Sequence, residues 1–470
     1  MSSDWPVCRI SDVAEVVGGG TPSSKVEEYY GGDIPWITPK DLSSHREMYI
    51  SAGGRNITGL GLSKSSAKML PIDTVLLTSR APIGYVAIAK TEVSTNQGFK
   101  SLILKEGNDP VFFYYLLKFN VPLFESRATG STFKEISGQV LKDTELRIPD
   151  YETQKAIGEK LRSLDKKIEL NSKINQTLEQ MAQAIFKSWF VDFEPVKAKI
   201  AALEAGGSED DALLAAMQAI AGSTLFATDT ADADAQTQLA RLQTEHPEQY
   251  ATLRATAELF PSAMQESELG EIPEGWNAGQ LSDIAMFTSN RISVEELSVE
   301  TYISTENMLE NKAGIRNAAS LPSAATVIKF EPLHILVSNI RPYFKKIWLA
   351  NFNGGRSADV LGFESKHQGT SEFLYNLLYQ DQFFDYMMLT SKGAKMPRGD
   401  KDAIMQFAIA VPPVELMKYF SQRVEAFYNL INMNRSGGRS LSELRDTLLP
   451  KLLSGEIDVS ALADNTEVNA

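Results

Sequence analysis

The stretch Gly18-Gly19-Gly20-Thr21-Pro22-Ser23-Ser24-Lys25 has the glycines, hydroxyls and lysine of a phosphate-binding loop. It lacks Gly-Lys-Ser/Thr at the spacing such a loop needs, and Pro22 removes a backbone donor from the cradle. A turn or a contact to a nucleic-acid backbone is the better reading. Ile148-Pro149-Asp150-x-Glu152 hints at a metal nuclease, but the lysine falls at 155, one residue late. The chain contains no Gly-x-Ser-x-Gly, no His-Glu-x-x-His and no Asn/Asp-Pro-Pro-Tyr. Val411-Pro412-Pro413-Val414 lacks the polar and aromatic ends that adenine methylation uses. One cysteine, Cys8, and four scattered histidines offer a structural zinc almost no ligands. The chain is expected to catalyse nothing alone and to hold neither metal nor cofactor.

Residues without a reaction of their own must serve binding, and the charge distribution says where. Taken as a sum, the net charge of −14 over 470 residues opposes nucleic-acid binding. It comes almost entirely from residues 200–276, which carry fourteen acids against Arg241 and Arg254. The flanking parts are nearly neutral, +1 over 1–199 and −3 over 277–470. Within them, Arg55, Lys64, Lys68, Arg80, Lys90, Lys100 and Lys105 meet only Asp73 and Glu92 along the chain. Lys312, Arg316, Lys329, Arg341, Lys345, Lys346 and Arg356 meet only Glu331. A solvated face is the competing reading for both stretches. At 43% hydrophobic residues the composition is globular, and no apolar run is long enough for a membrane span. A cytoplasmic, multidomain protein is expected.

The elements that position these residues are duplicated. Trp5-x4-Ile10-Ser11-Asp12-Val13-Ala14 recurs as Trp276-x4-Leu281-Ser282-Asp283-Ile284-Ala285. LLTSRAP (76–82) recurs as LVSNIRP (336–342), FYYLL (113–117) as FLYNLL (373–378), and LRIP (146–149) as IAVP (409–412). So long a period means a repeated domain followed by a helix, not a solenoid. The helical parts carry a coiled-coil seam. Ile157, Leu161, Leu164, Ile168, Asn171, Asn175, Leu178, Ala182, Ile185 and Trp189 step by four and three. The second copy gives Phe420, Val424, Phe427, Ile431 and Asn434, then Leu441, Leu448 and Leu452. Asparagines in the seam restrict register at some loss of stability. Gly437 and Gly438 are expected to weaken or kink the second helix, at about 1 kcal/mol each against Ala.

IPWIT (34–38), TVLLTS (74–79) and YVAIA (85–89) have the β-branched and aromatic content of short strands. Phe352-Asn353-Gly354-Gly355 predicts a hairpin turn. Each globular part is therefore mixed α+β. Residues 196–270, rich in Ala, Asp and Gln, predict an acidic helical connector, and TEVNA a frayed tail.

GGGTPS (18–23), GDIPWITPKDLS (32–43) and STNQGF (94–99) together resemble the target-recognition domain of type I restriction-modification specificity (S) subunits. QKAIGEKLRSLDKKIELN (154–171), AIFKSWFVDFEPVKAK (184–199), LFPSAMQESELGEIPEGW (259–276) and LRDTLLPKLLSGEID (444–458) extend the resemblance over nearly the whole chain. It implies recognition domains at 1–150 and 271–413. Two long helices, 151–195 and 414–456, would join them as an antiparallel coiled coil, giving a pseudo-twofold internal repeat with the connector at 196–270 and a tail at 457–470. The second copy departs from the first where Ser289-Asn290-Arg291-Ile292 replaces the GGGT turn. The two domains are thus expected to read different sequences.

The function implied is a DNA-reading scaffold for a bipartite target in double-stranded DNA, one half-site per domain. Two adenine methyltransferase (M) subunits would bring S-adenosylmethionine, and restriction-translocase (R) subunits ATP and magnesium. The alternatives are a specificity subunit of another defence system and a coiled-coil scaffold that binds only protein. In the first domain the candidate DNA contacts are Thr21, Ser23, Lys40, Arg80, Gln97, Lys100, Arg127, Thr132 and Lys134. In the second they are Asn307, Arg341, Tyr343, Lys345, Lys346, Lys395 and Arg398. Trp36 and Trp348 sit in apolar runs and belong to cores. Phe186, Phe190 and Leu449 are expected to face outward and bind the methyltransferase, because their helices carry more apolar residues than one seam buries.

Overall fold

A computed structural model describes residues 5–45, 47–130, 134–225, 235–393 and 395–459. The chain forms two compact units, one of residues 1–172 with 436–470, the other of residues 173–435.

In the first unit, the β-branched runs build a sheet in the order Ala14–Gly18, Lys100–Leu104, Val75–Ser79, Ile83–Ala89, Tyr49–Ile50. It is antiparallel except at the last pair. A smaller sheet runs Arg55–Ile57, Tyr30–Ile37, Ser94–Thr95. Val7–Arg9 pairs with Glu145–Arg147, closing the ends of the fold on each other. The helix Pro110–Phe119 begins where the Asp109 carboxylate accepts the Phe112 N–H at 2.7 Å. It buries Phe112, Phe113, Tyr115 and Leu116 against the larger sheet's Val75, Leu77 and Leu102.

The second unit repeats this plan residue for residue at its joints. Asn277–Gln280 pairs with Ala408–Val411. In each copy the Asp of the Ser-Asp motif accepts a backbone N–H three residues back, Arg9 to Asp12 at 2.9 Å and Gln280 to Asp283 at 2.7 Å. A lysine then ties the sheet to that turn: Lys105 Nζ donates to the Ser11 carbonyl and Lys366 Nζ to the Ser282 carbonyl. Two sheets follow, in the orders Ala285–Phe287, Val360–Ser365, Ile335–Ser338, Ile347–Leu349 and Arg291–Ser293, Thr326–Phe330, Gly354–Arg356, Tyr302–Ile303. Phe352-Asn353-Gly354-Gly355 is not a hairpin: the strands on either side of it belong to different sheets. The glycines are there because the backbone passes too close for a side chain. A Cβ on Gly354 would lie 2.2 Å from the Thr301 carbonyl oxygen.

The long helices run Tyr151–Phe190 and Val414–Leu453. Asp150 opens the first, its carboxylate accepting the Thr153 N–H at 3.0 Å and hydroxyl at 2.9 Å, so it caps a helix. Those bonds hold it below the usual carboxylate range. Within each unit the two helices are antiparallel. In the first, Arg445 pairs with Asp165 at 2.7 Å; in the second, Asn434 Nδ2 donates to Asn175 Oδ1 at 2.9 Å and Arg435 pairs with Glu179 at 2.8 Å. Gly437 and Gly438 do not break the second helix.

The acidic segment is helical over Glu194–Glu204, Glu209–Leu225, Ala235–Glu245 and Pro247–Glu258. It packs Met217, Ile220, Leu239 and Ala257 into the core that holds Trp189 and Phe420.

Candidate nucleic-acid interface

In the first unit, backbone hydrogen bonds gather distant segments along one edge. Gly20 N–H donates to the Thr95 carbonyl at 2.9 Å, Asn96 to Ile37 at 3.0 Å, Ser79 to Gly98 at 2.7 Å, and Ile136 to Ser79 at 3.0 Å. The glycine turn permits the approach: a Cβ on Gly19 would sit 2.0 Å from the Asn96 carbonyl oxygen, and one on Gly20 would sit 2.2 Å from the Ala67 nitrogen. Buried Trp36 locks the turn, its indole N–H donating to the Gly20 carbonyl at 3.0 Å. The Asp41 carboxylate fixes the next loop, accepting from the Thr38 N–H at 2.7 Å and the Gly54 N–H at 2.8 Å. The exposed groups left along this edge are the Thr21 hydroxyl, hydrogen-bonded to Gln97 Oε1, with Ser23, Lys40 and Lys134. Beside them Arg80 and Lys100 both reach the Glu135 carboxylate, at 3.5 and 3.4 Å. Arg127 is exposed and donates to the Thr144 hydroxyl at 3.1 Å. Thr132 lies outside the described residues.

The second unit builds the same junction. Asn339 N–H donates to the Asp359 carbonyl at 2.8 Å and Gly399 to Asn339 at 3.1 Å, while Arg341 donates to the Pro397 carbonyl at 2.8 Å. The bond from Arg341 to Pro397 brings the Arg341 and Arg398 segments together on it, and Arg398 pairs with Asp359. Arg341 has its Nε buried without a hydrogen-bond partner, and Tyr343 and Lys395 are exposed.

Several expected contacts are occupied inside the fold. Asn307 is buried; its amide donates to the Tyr302 and Arg316 carbonyls, both at 2.9 Å, and accepts the Ser304 N–H. It shapes a loop and has nothing left for a base. Lys346 turns inward to the Thr305 carbonyl at 2.8 Å, and burial lowers its pKa. Lys345 shares Asp381 with Lys312, at 3.0 and 2.8 Å, so this part of the basic stretch is neutralised by a residue distant in sequence. Arg356 is 3% exposed, donating to the Val360 and Thr288 carbonyls and the Thr288 hydroxyl. Burial pushes its pKa down to about 10.

Phe186 and Phe190 do not face outward. They are 1% and 8% exposed, at the centre of an aromatic cluster with Phe373 and Phe420. Leu449 is half-buried against the first unit's core. The apolar residues counted as surplus to the seam are taken up by the globular parts. Trp348, like Trp36, is buried. Glu135 and Asp359 also stand at the junctions, although carboxylates are poor phosphate ligands; no local pattern in the sequence points to them, and only the backbone bonds place them there.

A family model for the type I restriction modification DNA specificity domain matches residues 2–180. The chain is 31% identical over 480 residues to the type I restriction enzyme MjaIX specificity subunit of Methanocaldococcus jannaschii, covering 98% of this chain and 95% of that one. It is 32% identical over 357 residues to the HindI specificity subunit of Haemophilus influenzae, covering 71% and 73% of the two chains. The fold is like that of the type I restriction-modification S subunit from M. genitalium, with a TM-score of 0.51 and 15% identity over 96% of each chain.

Proposed function

Because the chain belongs to the family of type I restriction enzyme specificity subunits, we propose that it reads a bipartite DNA target, one half-site for each duplicated globular part. The readers lie in residues 1–150 and 271–413. The observation that carries this reading is the edge each unit gathers at its strand ends, where hydroxyl, amide and cationic side chains stand on a rigid backbone. Base edges in the major groove present donors and acceptors such groups can match, while exposed lysines and arginines set position on the phosphates. Specificity subunits make no bonds themselves, and this one supplies recognition. Two methyltransferase subunits, carrying S-adenosylmethionine, methylate adenine N6 on the chosen DNA, and restriction subunits use ATP and magnesium to translocate and cut. The complex works in the cytoplasm; among the described residues no helix is long and apolar enough to cross a membrane.

The test is selection from a randomised duplex library by the full chain assembled with its methyltransferase subunit. Enriched DNA should carry two short fixed half-sites separated by a spacer of constant length and free sequence. Arg341→Gln should alter only one of them. A single continuous site, or equal change in both half-sites, overturns the reading.

A further inference from the structure

The two junctions share a backbone and differ in charge. In the first, Thr129 and Glu135 exchange N–H···O=C bonds at 3.1 and 2.9 Å, and the strand end bridges from Arg80 to Glu135. In the second, Lys392 and Arg398 exchange the same bonds at 2.9 and 3.0 Å, and the bridge runs from Ile340 to Arg398. The next residue but one caps a short helix in each copy, Ser137 for Gly138–Lys142 and Asp400 for Lys401–Met405. Glu135 and Arg398 therefore occupy one structural position with opposite charge and opposite hydrogen-bonding sense.

Main-chain bonds hold this residue pair in both copies, so folding does not dictate the side chain. The ion pairs around it contribute little to stability. Glu135 and Arg80 are each 36% exposed, and Arg398 is 57% exposed against Asp359 at 37%. Solvent screening and the entropy of holding two long side chains leave exposed pairs of this kind little net worth. What the pairs do is aim the side chains: Glu135 is held between Arg80 and Lys100, and Arg398 is held by Asp359.

A carboxylate on a DNA-facing edge is repelled by phosphate, so a phosphate-binding role is closed to it. It only accepts hydrogen bonds, which suits the exocyclic amino group of cytosine, N4, in the major groove. A guanidinium only donates, and its fork matches guanine O6 and N7. We infer that Glu135 and Arg398 are equivalent specificity-determining residues of the two readers, Glu135 taking a cytosine amino group in one half-site and Arg398 a guanine in the other. Arg80, Lys100 and Asp359 are positioning residues. This rests on the bipartite DNA reading proposed above, and it explains how one duplicated scaffold reads two different half-sites.

The experiment repeats the randomised-duplex selection with Glu135→Gln, Glu135→Asp and Arg398→Gln in the full chain assembled with its methyltransferase subunit. Thermal melting serves as the folding control. Glu135→Gln should relax the preference for cytosine at one position of one half-site by about five- to 150-fold, the range of one good base contact. Glu135→Asp, which keeps the charge, should retain part of that preference. Arg398→Gln should do the same to a guanine in the other half-site. Uniform weakening with every base preference intact would overturn the inference and leave both residues as supports for their neighbours. So would loss of preference for any other base. Two unaltered half-sites in both Gln variants would overturn it while sparing the two-reader reading. Failure of the unsubstituted chain to select two half-sites would overturn both.

Discussion

Replacing Phe186 by alanine separates a core role from a docking role on the first long helix. The ring is 1% exposed and lies 5.2, 5.5 and 5.6 Å from those of Phe190, Phe373 and Phe420. Phe→Ala at a buried site costs about 3–5 kcal/mol through lost burial and the cavity left behind. Three ring neighbours, each worth about 0.5–1.5 kcal/mol beyond burial, place Phe186 in the upper part of that range. Against a typical domain stability of about 5–15 kcal/mol this is a large fraction. Hydrogen exchange read by mass spectrometry over residues 173–435 should show protection there falling by about 3–5 kcal/mol. Any loss of methyltransferase co-purification should follow that loss of structure and be recovered at lower temperature. A cost below about 1 kcal/mol, well under the range for buried rings, together with lost co-purification in a folded chain, would refute the reasoning and return Phe186 to a partner-facing role.

Two further outcomes follow from local geometry. Gly20→Ala places a Cβ 2.2 Å from the Ala67 nitrogen and strains a turn that Trp36 grips; overpacking of this kind costs about 1–3 kcal/mol. Target affinity should fall with it, and unchanged melting would show that the turn is looser than described. His334 is held below its ordinary pKa, first by burial, and its Nδ1 accepts the Glu331 N–H at 3.1 Å, a bond that protonation abolishes. The folded state therefore takes up fewer protons than the unfolded chain, and stability present above the unfolded pKa of about 6.5 declines as pH falls below it, by at most about 1.4 kcal/mol per pH unit. His334→Gln should flatten that part of the denaturation profile, and an identical profile would count against it.

Local pattern and repetition are what the order of residues encodes directly. The Ser-Asp turns, the strand runs around 75–89 and the recurrence of LLTSRAP as LVSNIRP follow from residue type and order. So does the seam on the long helices, because a step of four and three residues turns the same face inward along a helix. Even Asn175 was legible as an interior asparagine, and it meets Asn434.

Tertiary structure alone decided which charges and rings remain available. Arg356 and Arg341 stand in the same basic stretch, yet the first is buried among carbonyl acceptors and the second lies on the candidate interface. Lys345 lacks a nearby acid along the chain and has Asp381 in space. Phe186 looks surplus to one seam until Phe373 and Phe420 close over it. Glu135 and Arg398 share no residue type that would align them, and only the paired backbone bonds and the strand-end bridges identify them as one position. Periodicity records which way a side chain points along its own element. The partner it meets there is set by chain segments tens or hundreds of residues away, and no local pattern carries that information.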